Sequence, residues 1–212
     1  VKHHRPNNAR AAKHLPEPYD WYCENEWPVE ALLRYVAFEG LVYDPACGRG
    51  NIPRVFAAAG FETHASDLVD RGLEGAHQLD FLAAASAAFR VPNVVTNPPY
   101  SYVDGIAEAF ARRAIEIATR RVALLVPLKW LASIGRWRLF TEHPPEQILV
   151  LSERPSMPPG SKIAALGRRA FKGGSQDFVW MVWNTAAPAA PGYTRTVWIE
   201  PRAESVRRPR RP

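Results

Sequence analysis

A chain of 212 residues, 47% hydrophobic and 23% charged, has room for one domain with a sizeable core and not comfortably for two. The longest apolar runs, such as Val122 to Leu128, fall far short of a membrane span. Two cysteines are too few for a disulfide framework, and the six histidines show no metal-ligand spacing, so no metal is expected. The polar, basic N-terminus does not read as a secretory signal, and a reducing cytoplasm is the expected compartment.

The net charge of +6 is unevenly distributed. Residues 1–18 carry +3 and residues 195–212 carry +4, which leaves 19–194 close to −1. The expected organisation is therefore a basic N-terminal arm (1–18), a folded domain (19–194) and an Arg/Pro-rich tail (195–212). Arms of this composition are expected to be disordered when free. They read either as solubilising tails or as a grip on a polyanion.

In chain order, Trp27 to Glu39 reads as a helix ended by Gly40, with Val29, Leu32, Leu33 and Val36 at helical spacing. Leu41 to Tyr43 is a short strand running into the turn Asp44-Pro45-Ala46-Cys47-Gly48-Arg49-Gly50, and Ile52 to Ala59 is the helix that follows. Phe61 to Ser66 is a second strand ending at Asp67, and a third, weakly marked, ends near Asp80-Phe81. Asn93 to Thr96 is the fourth strand. It stops at Asn97-Pro98-Pro99-Tyr100, because consecutive prolines offer no N–H to a ladder. Val103 to Thr119 is an amphipathic helix, Arg121 to Val126 a strand, Trp130 to Phe140 a helix and Gln147 to Leu151 a strand. Ser152 to Asp177 reads as a polar loop, and Phe178 to Trp183 as the last strand. Strands alternating with helices predict a mostly parallel sheet covered on both faces.

Three features carry chemistry. Gly48 and Gly50, between a strand and a helix, permit a tight turn and close backbone approach to a ligand; the bland alternative is an ordinary αβ turn. Asp67 at the next strand end can accept hydrogen bonds from ribose hydroxyls, or serve only as a helix cap. Asp80 can read an exocyclic amine while Phe81 covers a base. Asn97 to Tyr100 lies where open α/β sheets bind ligands, beyond the carboxyl end of a strand.

Taken together, "DPACGRG", a strand-end acid, "DFL" and "NPPY" resemble the S-adenosylmethionine-dependent adenine-N6 DNA methyltransferases, in the motif order of their gamma group. Tyr19 to Glu24 is similar to that group's N-terminal cofactor motif, with Cys23-Glu24 where Thr-Pro is usual. "PLKWLASIGRWRLFTEHPPEQILVLSERPSM" and the closing "DFVWMVW" are similar to small phage-type members. The similarity covers roughly residues 19–184. Asn-Pro-Pro-Tyr also occurs in protein glutamine and ribosomal RNA methyltransferases, so it points to amine methylation more firmly than to a substrate.

The resemblance implies a Rossmann-like domain with a mostly parallel seven-stranded sheet and helices on both faces. It implies S-adenosylmethionine as cofactor, held by Tyr22, Asp44, Ala46, Cys47, Gly48, Gly50, Asp67, Leu68, Asp80, Phe81 and Asn97. The side-chain oxygen of Asn97 and the backbone oxygen of Pro98 would accept the two N–H bonds of the target amine, with Pro99 stiffening the turn. Tyr100 would stack on the extruded base. Lys129 and Trp130 follow a strand end; Trp130 reads as core or as a wedge against a base. Arg154, Lys162, Arg168, Arg169 and Lys172 are candidate phosphate contacts, with a solvated loop as the alternative. The chain has no room for a separate recognition domain, so target reading would fall to the loop, the arms or the second subunit of a homodimer. DNA is the expected partner, with RNA the alternative, and no membrane. A non-catalytic nucleic-acid-binding module is the reading from another class, and the intact glycine turn and Asn-Pro-Pro-Tyr argue against it.

Overall fold

The computed structural model describes residues 18–83, 89–100, 103–171 and 173–203. Most of the two basic arms, and Lys172, lie outside the described residues. The ordered elements are α1 (Trp27–Tyr35), β1 (Val42–Asp44), α2 (Asn51–Ala58), β2 (Thr63–Asp67), β3 (His77–Gln78), β4 (Val91–Thr96), α3 (Ile106–Ile117), β5 (Ala118–Pro127), α4 (Ile134–Glu142), β6 (Gln147–Leu151), α5 (Gly160–Leu166), β7 (Phe178–Asn184) and β8 (Arg195–Ile199). Among the described residues, no helix is long and apolar enough to cross a membrane.

The strands form one mixed sheet in the order β3-β2-β1-β4-β5-β7-β6-β8. Strands β1 to β5 pair in parallel. β7 runs antiparallel to both β5 and β6, and β8 lies parallel to β6. The sheet thus has eight strands, not the expected seven. The additional one comes from a segment assigned above to the Arg/Pro-rich tail. Charge led that assignment, but Thr196-Val197-Trp198-Ile199 is β-branched and aromatic, which suits a half-buried edge. Ile199 is buried while Trp198 faces outward.

Side chains alternate along the central strands and separate two cores. Val122, Leu124 and Val126 of β5 meet Ile106, Phe110 and Ala114 of α3 on one face. Ala123 and Leu125 meet Val29 and Leu32 of α1, and Ile52 and Phe56 of α2, on the other. Helices therefore cover both faces, as the resemblance implies.

Other boundaries differ. α1 ends at Tyr35, and Val36 turns extended (φ −127°, ψ 122°). This lets Val36 and Phe38 enter the core, and Gly40 (φ 80°) instead turns the chain into β1. The expected helix from Trp130 divides into a 3-10 turn, Leu128–Leu131, and α4, whose cap is Ser133 accepting from the Arg136 N–H at 3.2 Å. The loop Ser152–Asp177 contains α5 and a further 3-10 turn, Gly167–Ala170. Its polar outer face hides a short helix too brief for a readable period.

Because β1, β2, β4 and β5 are parallel, Asp44, Asp67, Thr96 and Pro127 end at one edge of the sheet. The candidate site is built along that edge.

Candidate active site

The turn after β1 is held by short bonds within the chain. Asp44 is buried behind it, and its Oδ1 accepts from the Ala46 N–H at 3.1 Å. The Cys47 N–H bonds the Ser66 carbonyl at 2.9 Å. Gly48 adopts φ 51°, a conformation that side chains disfavour, and so aims its N–H at Asp67 Oδ2, 2.9 Å away. Asp67 Oδ1 accepts from the Val69 N–H at 3.1 Å. The carboxylate thus ties two strand ends together, and its remaining lone pairs are open to further donors.

These groups wall a narrow cavity at the carboxyl edge of the sheet, the place where open α/β sheets take ligands. Of the expected cofactor residues, Tyr22, Ala46, Cys47, Gly48, Asp67, Leu68, Asp80, Phe81 and Asn97 line it. Asp44 and Gly50 do not. Asp44 braces the turn from behind. Gly50 (φ 80°) leads into α2, and a Cβ there would fall 2.7 Å from Leu73. Phe81 is buried against Tyr43 and Phe110, while Asp80 is exposed, with Oδ1 accepting from the Leu82 N–H at 2.9 Å.

A second, open cleft of about 610 Å³ adjoins the first. Asp20 and Tyr22 line both. Asn97 and Pro99 face the first and Tyr100 the second, while Pro98 lines neither. The Tyr100 hydroxyl is turned inward, bonding to Asn97 Oδ1 and lying 2.8 Å from the Leu125 carbonyl. Its ring lies 6.2 Å from that of Phe178. The hydroxyl role was not read from the sequence, because four adjacent residues do not disclose which way a ring turns.

Lys129, Trp130 and Lys162 line the second cleft. Trp130 is buried and packs edge-on to Phe140, in keeping with the core reading. Arg154 is paired with Asp177 at 2.8 Å. Arg168 and Arg169 are exposed on the turn after α5, and neither lines the cleft. Arg136, which sequence reasoning missed, lines it as well, with its guanidinium 5.4 Å over the Trp130 ring.

The stretch before α1 contributes more than expected. Glu24 is buried, and its Oε2 accepts from Asn97 Nδ2 at 2.9 Å. The Tyr22 carbonyl accepts from the same nitrogen at 3.1 Å. Asp20 Oδ2 accepts from the Tyr100 N–H at 3.0 Å. Tyr19 and Asp20 both adopt positive φ (58° and 53°), a strained conformation of the kind that collects at binding sites. Trp21 Nε1 is buried without a hydrogen-bond partner among the described residues. The segment is anchored by the Cys23 N–H to the Pro158 carbonyl and the Gly160 N–H to the Trp21 carbonyl, at 3.0 and 2.9 Å. The sequence signal was the similarity of Tyr19 to Glu24 to an N-terminal cofactor motif, which does not disclose these contacts with Asn97 and Tyr100.

Burial pushes the carboxyls of Glu24 and Asp44 up from their usual range. It also pushes the Cys23 thiol up to about 12 and raises Cys47, where the charges of Asp44 and Asp67 add to the effect. Both thiols are therefore neutral, which argues against a thiolate nucleophile here.

No protein-family model and no curated protein matches the chain. Solved structures do. The 23S rRNA methyltransferase ErmE superposes with a TM-score of 0.51 at 16% identity, over 81% of this chain and 72% of its own. A protein from Pyrococcus horikoshii described as a candidate RNA methyltransferase gives 0.51 at 16% identity, over 73% and 79%. Magnesium protoporphyrin IX methyltransferase from Synechocystis PCC 6803, solved with bound S-adenosylmethionine, gives 0.50 at 12% identity, over 74% and 78%. The fold is that of the Rossmann-like methyltransferases.

Proposed function

We propose that this chain is an S-adenosylmethionine-dependent methyltransferase acting on the exocyclic amine of adenine in DNA. The observation that carries the reading is the Asn97 side chain, held by Glu24 and Tyr100 on the wall of the first cavity, while Tyr100 beside it borders the adjoining cleft. The cavity suits the cofactor. Asp67 presents a carboxylate to ribose hydroxyls, Trp21 Nε1 is an unused buried donor, and Gly48 keeps the turn open to close approach.

When bound, the cofactor supplies an electrophilic methyl group on a sulfonium. The chain's own residues prepare the acceptor. The amine of adenine is a poor nucleophile because its lone pair is delocalised into the ring. An acceptor on each N–H draws the nitrogen toward a tetrahedral arrangement and localises that pair. Asn97 Oδ1 has two acceptor sites. The Tyr100 hydroxyl takes one, and the other serves the amine; Pro98, which the resemblance makes the second acceptor, lines neither cavity. No strong base is required, since the methylated amine is cationic and loses its proton readily. Orientation and fixed dipoles supply most of the acceleration. The Tyr100 ring borders the cleft where the base would lie, and Lys129, Lys162 and Arg136 offer cations for the phosphates beside it.

The test is incubation with labelled cofactor and DNA, RNA or protein. Label in DNA, recovered as N6-methyladenine, is expected. Label in RNA or on protein glutamine would keep the chemistry and change the substrate; label in none would overturn the reading.

Two further outcomes follow from the same site. Asp67→Ala is expected to weaken cofactor binding by roughly 1–3 kcal/mol, the scale of hydrogen bonds to a charged group, as measured by calorimetry. Unchanged affinity would leave Asp67 as a brace for the Gly48 turn alone. Residues 1–17 and 204–212, outside the described residues, together carry the whole net charge of +6. Deleting them is expected to flatten the plot of log affinity for duplex DNA against log salt, by about 0.9 for each phosphate that the arms neutralise. Site preference is expected to persist, because phosphate contacts position without specifying. An unchanged slope would make the arms solubilising tails.

A further inference from the structure

We infer that Glu24 is a positioning residue that fixes which way the Asn97 amide faces, so that its oxygen and not its nitrogen meets the methyl acceptor. The inference rests on the methyltransferase reading above and adds a residue to it. An amide side chain is nearly symmetric in shape, and only its hydrogen-bond partners decide between its two orientations. At Asn97 the nitrogen side meets two acceptors, Glu24 Oε2 at 2.9 Å and the Tyr22 carbonyl at 3.1 Å. The oxygen side meets a donor, the Tyr100 hydroxyl. A flip would set the amide oxygen against two oxygens and the amide nitrogen against a hydroxyl that already has the Leu125 carbonyl as an alternative acceptor. The Tyr22 carbonyl alone would resist the flip with one bond. Glu24 adds a second from a side chain, buried like Asn97 itself, where water offers no substitute.

Burial raises the Glu24 carboxyl; when protonated it keeps an oxygen able to accept the Asn97 N–H, and the Tyr22 carbonyl, which can only accept, holds the amide in the same orientation. A glutamine can accept in the same way through its amide oxygen, whereas a methionine of similar length cannot. The contact spans 73 positions of sequence and involves the place where Cys23-Glu24 departs from the Thr-Pro of the family it resembles.

The experiment compares Glu24→Gln and Glu24→Met with the wild type. In the apo protein, the Asn97 side-chain amide signal in ¹⁵N spectra, assigned by its loss in Asn97→Ala, is expected to exchange slowly with water. Exchange is expected to stay slow in the glutamine variant and to rise at least about tenfold in the methionine variant, by the loss of one buried bond. With the methyl acceptor identified above, kcat is expected to fall about tenfold or more in Glu24→Met and to recover to within about threefold in Glu24→Gln, an interaction of the size expected for one bond. KM for the acceptor and the cofactor Kd should move little. In an Asn97→Ala background, Glu24→Met is expected to lower kcat no further. Unchanged amide exchange, or a kcat equal to wild type in Glu24→Met, would overturn the inference. So would a loss of cofactor affinity that accounts for the whole effect. If the wild type methylates nothing, the functional reading fails, and the apo exchange measurement still decides whether Glu24 orients Asn97.

Discussion

Asn97→Ala is expected to lower the methylation rate on the order of 100-fold, the usual loss when one preorganised polar group is removed from a reacting centre. That corresponds to about 2.7 kcal/mol of transition-state stabilisation. The substitution deletes the oxygen that would accept from the target amine. It leaves the other parts in place: the Tyr100 hydroxyl still reaches the Leu125 carbonyl, and the Gly48 turn still bonds Asp67. Cofactor affinity, measured by calorimetry, is therefore expected to change far less than turnover. Glu24 loses its side-chain donor in this variant, so a modest fall in melting temperature is expected alongside. A variant that binds cofactor normally and turns over near the wild-type rate would remove Asn97 from the chemistry.

Trp180→Ala is expected to destabilise the fold by about 3–5 kcal/mol. Trp180 is fully buried in β7, packed in the core between the sheet and α1 and α2. Its indole N–H bonds the Pro28 carbonyl in the first turn of α1 at 2.8 Å. Truncation opens a cavity and removes the bond to that carbonyl. For a domain of this size each kcal/mol shifts Tm by roughly 2–4 °C, so a fall of about 6–20 °C is expected by calorimetry or circular dichroism. Trp180→Phe keeps most of the apolar volume and loses only the bond, so it is expected to fall between the two. Because α1 begins at Trp27, three residues after Glu24, loosening it also bears on the site. A melting temperature unchanged in Trp180→Ala would mean that α1 is held by other contacts.

Several of the site's parts were legible in the chain. Residues Asp44 to Gly50 sit between a readable strand and a readable helix, and glycine there signals a turn before any contact is known. The two prolines after Asn97 force a strand to stop, which places an amide at a sheet edge. Where local signals were short or mixed, the reading was incomplete. Arg195 to Ile199 was grouped with a basic tail because charge dominated the window, yet its apolar residues pair with β6 at the sheet edge. α5 reads as loop in the sequence because its seven residues span barely two turns.

By itself the sequence determined the order of strands and helices up to β7 apart from α5, the glycine turn, the strand-end acid and the Asn97 to Tyr100 stop. These depend on periodicity, backbone chemistry and proline sterics within a few residues of each other. Only the tertiary structure decided that Glu24 and Tyr22 hold the Asn97 nitrogen, that the Tyr100 hydroxyl turns onto Asn97 and Leu125, and that Arg136 joins Lys129 and Lys162 on one cleft. The contacts of Glu24 and Tyr22 with Asn97, and of Tyr100 with Leu125, join segments far apart in the chain. Their partners are chosen by which buried donors and acceptors lack water once the sheet has closed, and no local pattern carries that information.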